Sequence, residues 1–184
     1  MKHKKIVYIL LILSFILKAP CIEANSWKNQ LASIPKELFD HIRNVLPEGK
    51  TILELGSGWA SQQLSEFYTV YSVEHDRWWV NKYNTNYIYA PIKNGWYDTK
   101  ILEEQLPKTY DLILVDGPPG TIGRGGFYNN LHLFNTDAII IFDDVNRKND
   151  YEVMVNVEKA LGRKATIYQG SFGKCFGVIE KINK

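Results

Sequence analysis

The chain has 184 residues, 45% hydrophobic and 23% charged, a balance that excludes disorder, fibrous repeats and multidomain size and leaves one domain with a short extension. The net charge of +2 is uneven: residues 1–24 hold Lys2, Lys4, Lys5 and Lys18 against Glu23, which leaves −1 for the remainder. Such a body lacks the phosphate-neutralising surface of a nucleic-acid binder, so no nucleic-acid partner is expected. Two cysteines, Cys21 and Cys175, are too few for a disulfide framework, and neither belongs to a CxxC pair.

Residues 2–5 (KHKK) are basic, and 11 of the 12 residues at 6–17 are apolar, ahead of the less regular KAPCIEAN. Charged, apolar and polar regions in that order have the layout of a secretory signal. The apolar run falls short of the ~20 residues a helix needs to cross a bilayer, which favours cleavage before Asn25. Retention as an anchor, with membrane association through residues 6–17, is the rival. The expected organisation is a signal peptide or signal anchor over 1–24 and one domain over 25–184. The expected location is the secretory pathway or a membrane, a cytosol-facing anchor included.

From residue 25 onward, strand-like and helix-like segments alternate, the pattern of an α/β fold with a mostly parallel sheet. Residues 34–46 space Leu38, Ile42, Val45 and Leu46 at helical intervals, and Pro47 and Gly49 end that helix. TILEL (51–55) predicts the first strand and GSGWASQQLSEF the helix after it. TVYSVEHD (69–76) predicts a second strand and DRWWVNKYN a second helix. NYIYAPI (86–92) predicts a short strand, ILEEQL (101–106) a short helix, and YDLILVDG (110–117) and DAIIIFDD (137–144) two further strands. A helix over 151–161 follows, then two strands joined by GSFG. The two most apolar strands lack polar alternation, as strands buried between helix layers do.

Glu54-Leu55-Gly56-Ser57-Gly58 stands where a strand becomes a helix, and glycines there let the backbone turn and approach a nucleotide-like ligand. The third glycine of the dinucleotide fingerprint is replaced by Ser61, which points to a smaller nucleoside ligand. Glu74 ends the second strand, where a carboxylate can accept both hydroxyls of a ribose. Glu74, Asp116 and the Asp143-Asp144 pair would converge with the turn on the C-terminal edge of one sheet.

ELGSG, VYSVEHD and YDLILVDGPPG together resemble the S-adenosylmethionine-binding core of Rossmann-like class I methyltransferases, over residues 51–182. The resemblance implies a three-layer α/β sandwich around a mostly parallel seven-stranded sheet with a C-terminal antiparallel hairpin. It implies S-adenosylmethionine as cofactor, with Glu54, Gly56, Ser57 and Gly58 around the methionine moiety, Glu74 on the ribose and Asp116 closing the site. Asp116, Asp143 and Asp144 are oxygen ligands suited to Mg²⁺ or another divalent cation. This resembles metal-dependent catechol and caffeoyl-coenzyme-A O-methyltransferases, from which the Asp-Asp pair departs, since theirs is Asp-Asn. VDGPPG, Gly123-Arg124 and FDDVNR are similar to the polysaccharide-biosynthesis domain of glucuronoxylan 4-O-methyltransferases. That likeness implies that Asp116, Arg124, Asp144 and Arg147 face a saccharide acceptor.

Trp59, Trp78, Trp79, Trp96 and Tyr97 offer either sugar platforms or core packing. The expected activity is O-methylation of a saccharide or other small hydroxylated acceptor, with Asp116, Arg124 and Asp144 as catalytic residues. The alternative is a secreted or anchored non-enzymatic binder on a degenerate form of the same fold. RNA methylation lacks its marker: no Asn-Pro-Pro-Tyr-like motif and no basic stripe occur.

Overall fold

The structure is a computed structural model that describes residues 34–182. The expected signal segment and Cys21 lie outside the described residues. Helix α1 (Lys36–Val45) leads into β1 (Thr51–Leu55), α2 (Trp59–Leu64), β2 (Thr69–Glu74) and β3 (Asn86–Tyr89). A two-stranded hairpin, β4 (Ile92–Lys93) and β5 (Trp96–Tyr97), precedes α3 (Thr99–Gln105), β6 (Leu112–Val115), α4 (Gly125–Asn129) and β7 (Ile139–Phe142). Helix α5 (Lys148–Leu161), β8 (Ala165–Gln169) and β9 (Cys175–Ile179) complete the described chain.

Seven strands form one sheet in the order β3-β2-β1-β6-β7-β9-β8. The first five are parallel, whereas β9 runs antiparallel to both β7 and β8. Period-2 alternation along buried strands divides the core into two. Leu112 and Leu114 of β6 and Ile139 and Ile141 of β7 face Leu38 and Ile42 of α1 and Leu64 of α2. Ile113, Val115, Ile140 and Phe142 face Leu102 of α3, Phe127 of α4 and Val153, Met154 and Val157 of α5. Each fully buried aliphatic side chain contributes about 1.5–3 kcal/mol, and Leu38 and Ile42, with no exposed surface, are the residues that seat α1 on the sheet. The result is the expected three-layer sandwich.

The predicted second helix, DRWWVNKYN, is a succession of turns. The Asp76 carboxylate accepts from the Trp78 amide at 2.9 Å, and the amides of Trp79 and Lys82 bond three residues back, to Asp76 and Trp79. Asn81 at φ +62° then takes the chain out of the helical region, a conformation Asn tolerates better than most residues.

Candidate functional site

Register places the C-terminal ends of β1, β2, β6 and β7 along one edge: Leu55 pairs with Val73 and Val115, and Val115 with Phe142. The residues that end or follow these strands line a cleft of about 480 Å³, among them Gly56, Glu74, Asp116 and Asp144. Seven of the expected site positions line it together, namely Gly56, Ser57, Gly58, Glu74, Asp116, Arg124 and Asp144.

The Gly-rich turn is shaped by closeness. Gly56 has φ +97°, and a Cβ there would meet Gly117 backbone at 3.1 Å, while a Cβ on Gly117 would meet Gly56 Cα at 2.7 Å. Only two glycines let the ends of β1 and β6 approach so closely. The amides of the turn are spent inside the protein. Gly56 N–H donates to the Val73 carbonyl (2.9 Å), Ser57 N–H to Glu74 Oε2 (3.1 Å) and Gly58 N–H to Ser61 Oγ (2.9 Å).

Glu74, 3% exposed, also accepts from its own next two amides, His75 at 2.6 Å and Asp76 at 2.7 Å, both on Oε1. Three backbone donors fix that carboxylate, and His75 Nδ1 lies 2.8 Å from it. Glu54 is elsewhere: fully inside, below the turn, its Oε2 accepts from Ser61 Oγ and Ser72 Oγ, each at 2.7 Å. Burial pushes its carboxyl up to about 7, against the pull of the two serine hydroxyls. It supports the turn from behind and does not line the cleft. Ser57 Oγ shares a 2.9 Å hydrogen bond with Tyr87 Oη.

Arg124, 4% exposed, is surrounded by carboxylates. Its Nη2 donates to Asp116 Oδ1 (3.0 Å), to the Asp116 carbonyl (2.7 Å) and to Asp144 Oδ2 (3.1 Å), and its Nη1 donates to the Asp143 carbonyl (2.6 Å). Asp150 Oδ1 stands 3.8 Å from its Nε. Burial works against the guanidinium charge, but Asp116, Asp150, Asp144 and Asp143 outweigh it and raise its pKa. Burial, and then the Asp143 carboxylate, hold the Asp116 carboxyl well above the usual range. Burial and Asp144 raise Asp143 likewise. Arg147, half exposed on the cleft, pairs with Asp144 Oδ2 at 2.9 Å.

The expected metal set does converge, since Asp116, Asp143 and Asp144 bring carboxylate oxygens within 4.8 Å of one another. The residues present nevertheless do not fit a divalent cation. Arg124 Nη2 stands between Asp116 and Asp144, and Lys174 Nζ is 3.6 Å from Asp143 Oδ2 and 3.5 Å from Asp144 Oδ1. Asp143 Oδ1 is buried without a hydrogen bond, but its partner oxygen and both neighbouring carboxylates already face a guanidinium or an ammonium. The chain balances these carboxylates with its own cations.

No protein-family model matches this sequence, and no curated protein does. Solved structures match its fold. A fibrillarin of Aeropyrum pernix with natively bound S-adenosyl-L-methionine is similar with a TM-score of 0.57 at 14% identity, over 78% of this chain and 74% of that one. A methyltransferase of Pyrococcus furiosus gives 0.54 at 17%, over 80% and 83%. A candidate caffeoyl-CoA O-methyltransferase of Staphylococcus aureus gives 0.54 at 16%, over 87% and 92%. The chain has the Rossmann-like methyltransferase fold.

Within this methyltransferase fold, Trp96 is buried, Trp78 points to solvent, and Trp59, Trp79 and the buried Tyr97 line the cleft. Two residues went unnoticed in the sequence, and a third, Tyr97, was singled out there only as a sugar platform or a core aromatic. Asp150 and Lys174 complete the charge cluster, and Tyr97 lines the cleft from the extra hairpin. Asp150 carried a local signal, three residues beyond Arg147 in the first turn of α5, whereas Lys174 and Tyr97 reach the site through tertiary pairing alone.

Proposed function

We propose that this chain transfers a methyl group from S-adenosylmethionine to a hydroxyl oxygen of a saccharide or another small hydroxylated acceptor. The observation that carries the donor is the commitment of all three turn amides inside the protein, beside a cleft lined by Glu74, Asp116 and Asp144. Such a cleft repels a pyrophosphate, which needs free N–H groups, and suits a nucleoside whose charge is a cationic sulfonium. Bound there, the donor supplies an electrophilic methyl group.

The residues divide the work by position. Glu74, held by its three backbone donors, takes the ribose hydroxyls, and the Gly56–Gly117 contact keeps the cleft floor free of side chains. Asp116 is the carboxylate that accepts the proton of the acceptor hydroxyl, and Arg124, which donates to its Oδ1, orients it and favours its ionised form. Arg124 is committed to the cluster, so the cation offered to an acidic sugar is the half-exposed Arg147. On the likeness to glucuronoxylan 4-O-methyltransferases, a uronic-acid saccharide is the acceptor of choice. The signal-like layout of residues 1–24 supports a location in the secretory pathway or at a membrane, where a lumen that imports the donor or a cytosol-facing anchor would supply it.

Titration calorimetry of S-adenosylmethionine and S-adenosylhomocysteine into the chain tests this reading. Micromolar binding is expected, equal in EDTA and in Mg²⁺, and about tenfold or more weaker in Glu74→Ala, in line with the loss of hydrogen bonds to a charged group. A folded chain that binds neither compound sinks the proposal and leaves the non-enzymatic binder.

A further inference from the structure

Tyr97 carries a hydroxyl group that nothing among the described residues uses. The residue has no exposed surface. Its ring is held edge-on by Trp96 and His75, with centroids 5.0 and 6.3 Å away. The side chain lines the cleft, and its oxygen lies against the Gly56–Gly117 contact, 2.6 Å from where a Cβ on Gly117 would be. Among the described residues the hydroxyl has no hydrogen-bond partner. A buried polar group without a partner is costly and uncommon, and in a native cleft it asks for a partner from outside the chain. Burial, reinforced by Glu74 and Asp116, keeps the phenol protonated and neutral.

The position narrows that partner. Glu74 and Asp116 both act on Tyr97, and on the proposed reading they mark the ribose end and the acceptor end of the ligand. The portion of S-adenosylmethionine between ribose and acceptor is the sulfonium. A neutral phenolic oxygen directs lone-pair density at such a cation and gains little from an uncharged thioether. We propose that the Tyr97 oxygen faces the sulfonium of the bound donor and makes the cleft discriminate the charged donor from its neutral demethylated product. This rests on the methyltransferase reading.

The test compares wild type and Tyr97→Phe by calorimetry with S-adenosylmethionine and S-adenosylhomocysteine, together with the Tm of each ligand-free protein. The variant should bind the donor about tenfold more weakly and the product within about twofold of wild type, the loss expected for a contact to a charged group. Its ligand-free Tm should equal or exceed that of wild type, because the deleted hydroxyl has no partner to lose. Equal weakening of both ligands, no change in either, a lowered ligand-free Tm or a failure to fold would each overturn the proposal, the last two by revealing a structural role. If wild type itself binds neither compound, the methyltransferase reading falls and takes this inference with it. If wild type binds both and the donor-to-product ratio is the same in the variant, only the role of Tyr97 falls.

Discussion

Glu54 shows how a carboxyl can sit at a strand end and still be structural. Enclosed with Ser61 and Ser72, it has a folded-state value of about 7 against 4.5 when exposed. Protonation therefore favours the fold: this contribution is full below about pH 4.5 and is lost as the pH rises through about 7. The shift corresponds to roughly 3 kcal/mol. Glu54→Gln keeps an oxygen for both serine hydroxyls and cannot ionise. The Tm of the variant relative to wild type is thus expected to rise between pH 5 and pH 8, by several degrees at the upper end; a constant difference across that range would show that Glu54 stays ionised in the fold. At this scale the sequence disclosed positions better than partners. Glu74, Asp116 and Asp144 were readable because parallel strands end on one edge. That Glu54 turns inward and that Arg124 is enclosed by aspartates depends on partners 7 to 26 positions away, on other elements, which no local pattern encodes.

Between elements, the approach of β1 to β6 is the tightest constraint. Gly117→Ala would drive a methyl group into Gly56 backbone at 2.7–2.9 Å and into Tyr97 Oη at 2.6 Å. Two of those neighbours are backbone atoms with nowhere to go, so a loss of about 1–3 kcal/mol in urea unfolding is expected, together with loss of donor binding. Unchanged stability would mean that the two turns can part. Seven strands were legible from apolar runs between turn residues. The β4–β5 hairpin was not, because two-residue strands leave no periodicity, and 77–84 imitated a helix in composition while Asp76 and Asn81 imposed turns.

For the whole molecule, alternation of strands and helices predicted the sandwich, and the terminal hairpin was expected from its two strands and tight link. The signal pattern makes its own prediction. Residues 1–24 fused to an alkaline phosphatase that works only outside the cytosol should export it, and Leu11→Arg within the apolar run should abolish that export. No export by the unaltered segment would remove the secretory placement and leave the cleft argument untouched.

The sheet order also sets a sequence of events. Strand β8 is synthesised before β9, yet it joins the sheet only through β9, which lies between it and β7. Until residues 175–179 have emerged, residues 165–169 have no neighbour to bond, and β7 keeps one open edge. A break in the chain ahead of Cys175 therefore removes two strands from the sheet, although only one is missing from the polypeptide.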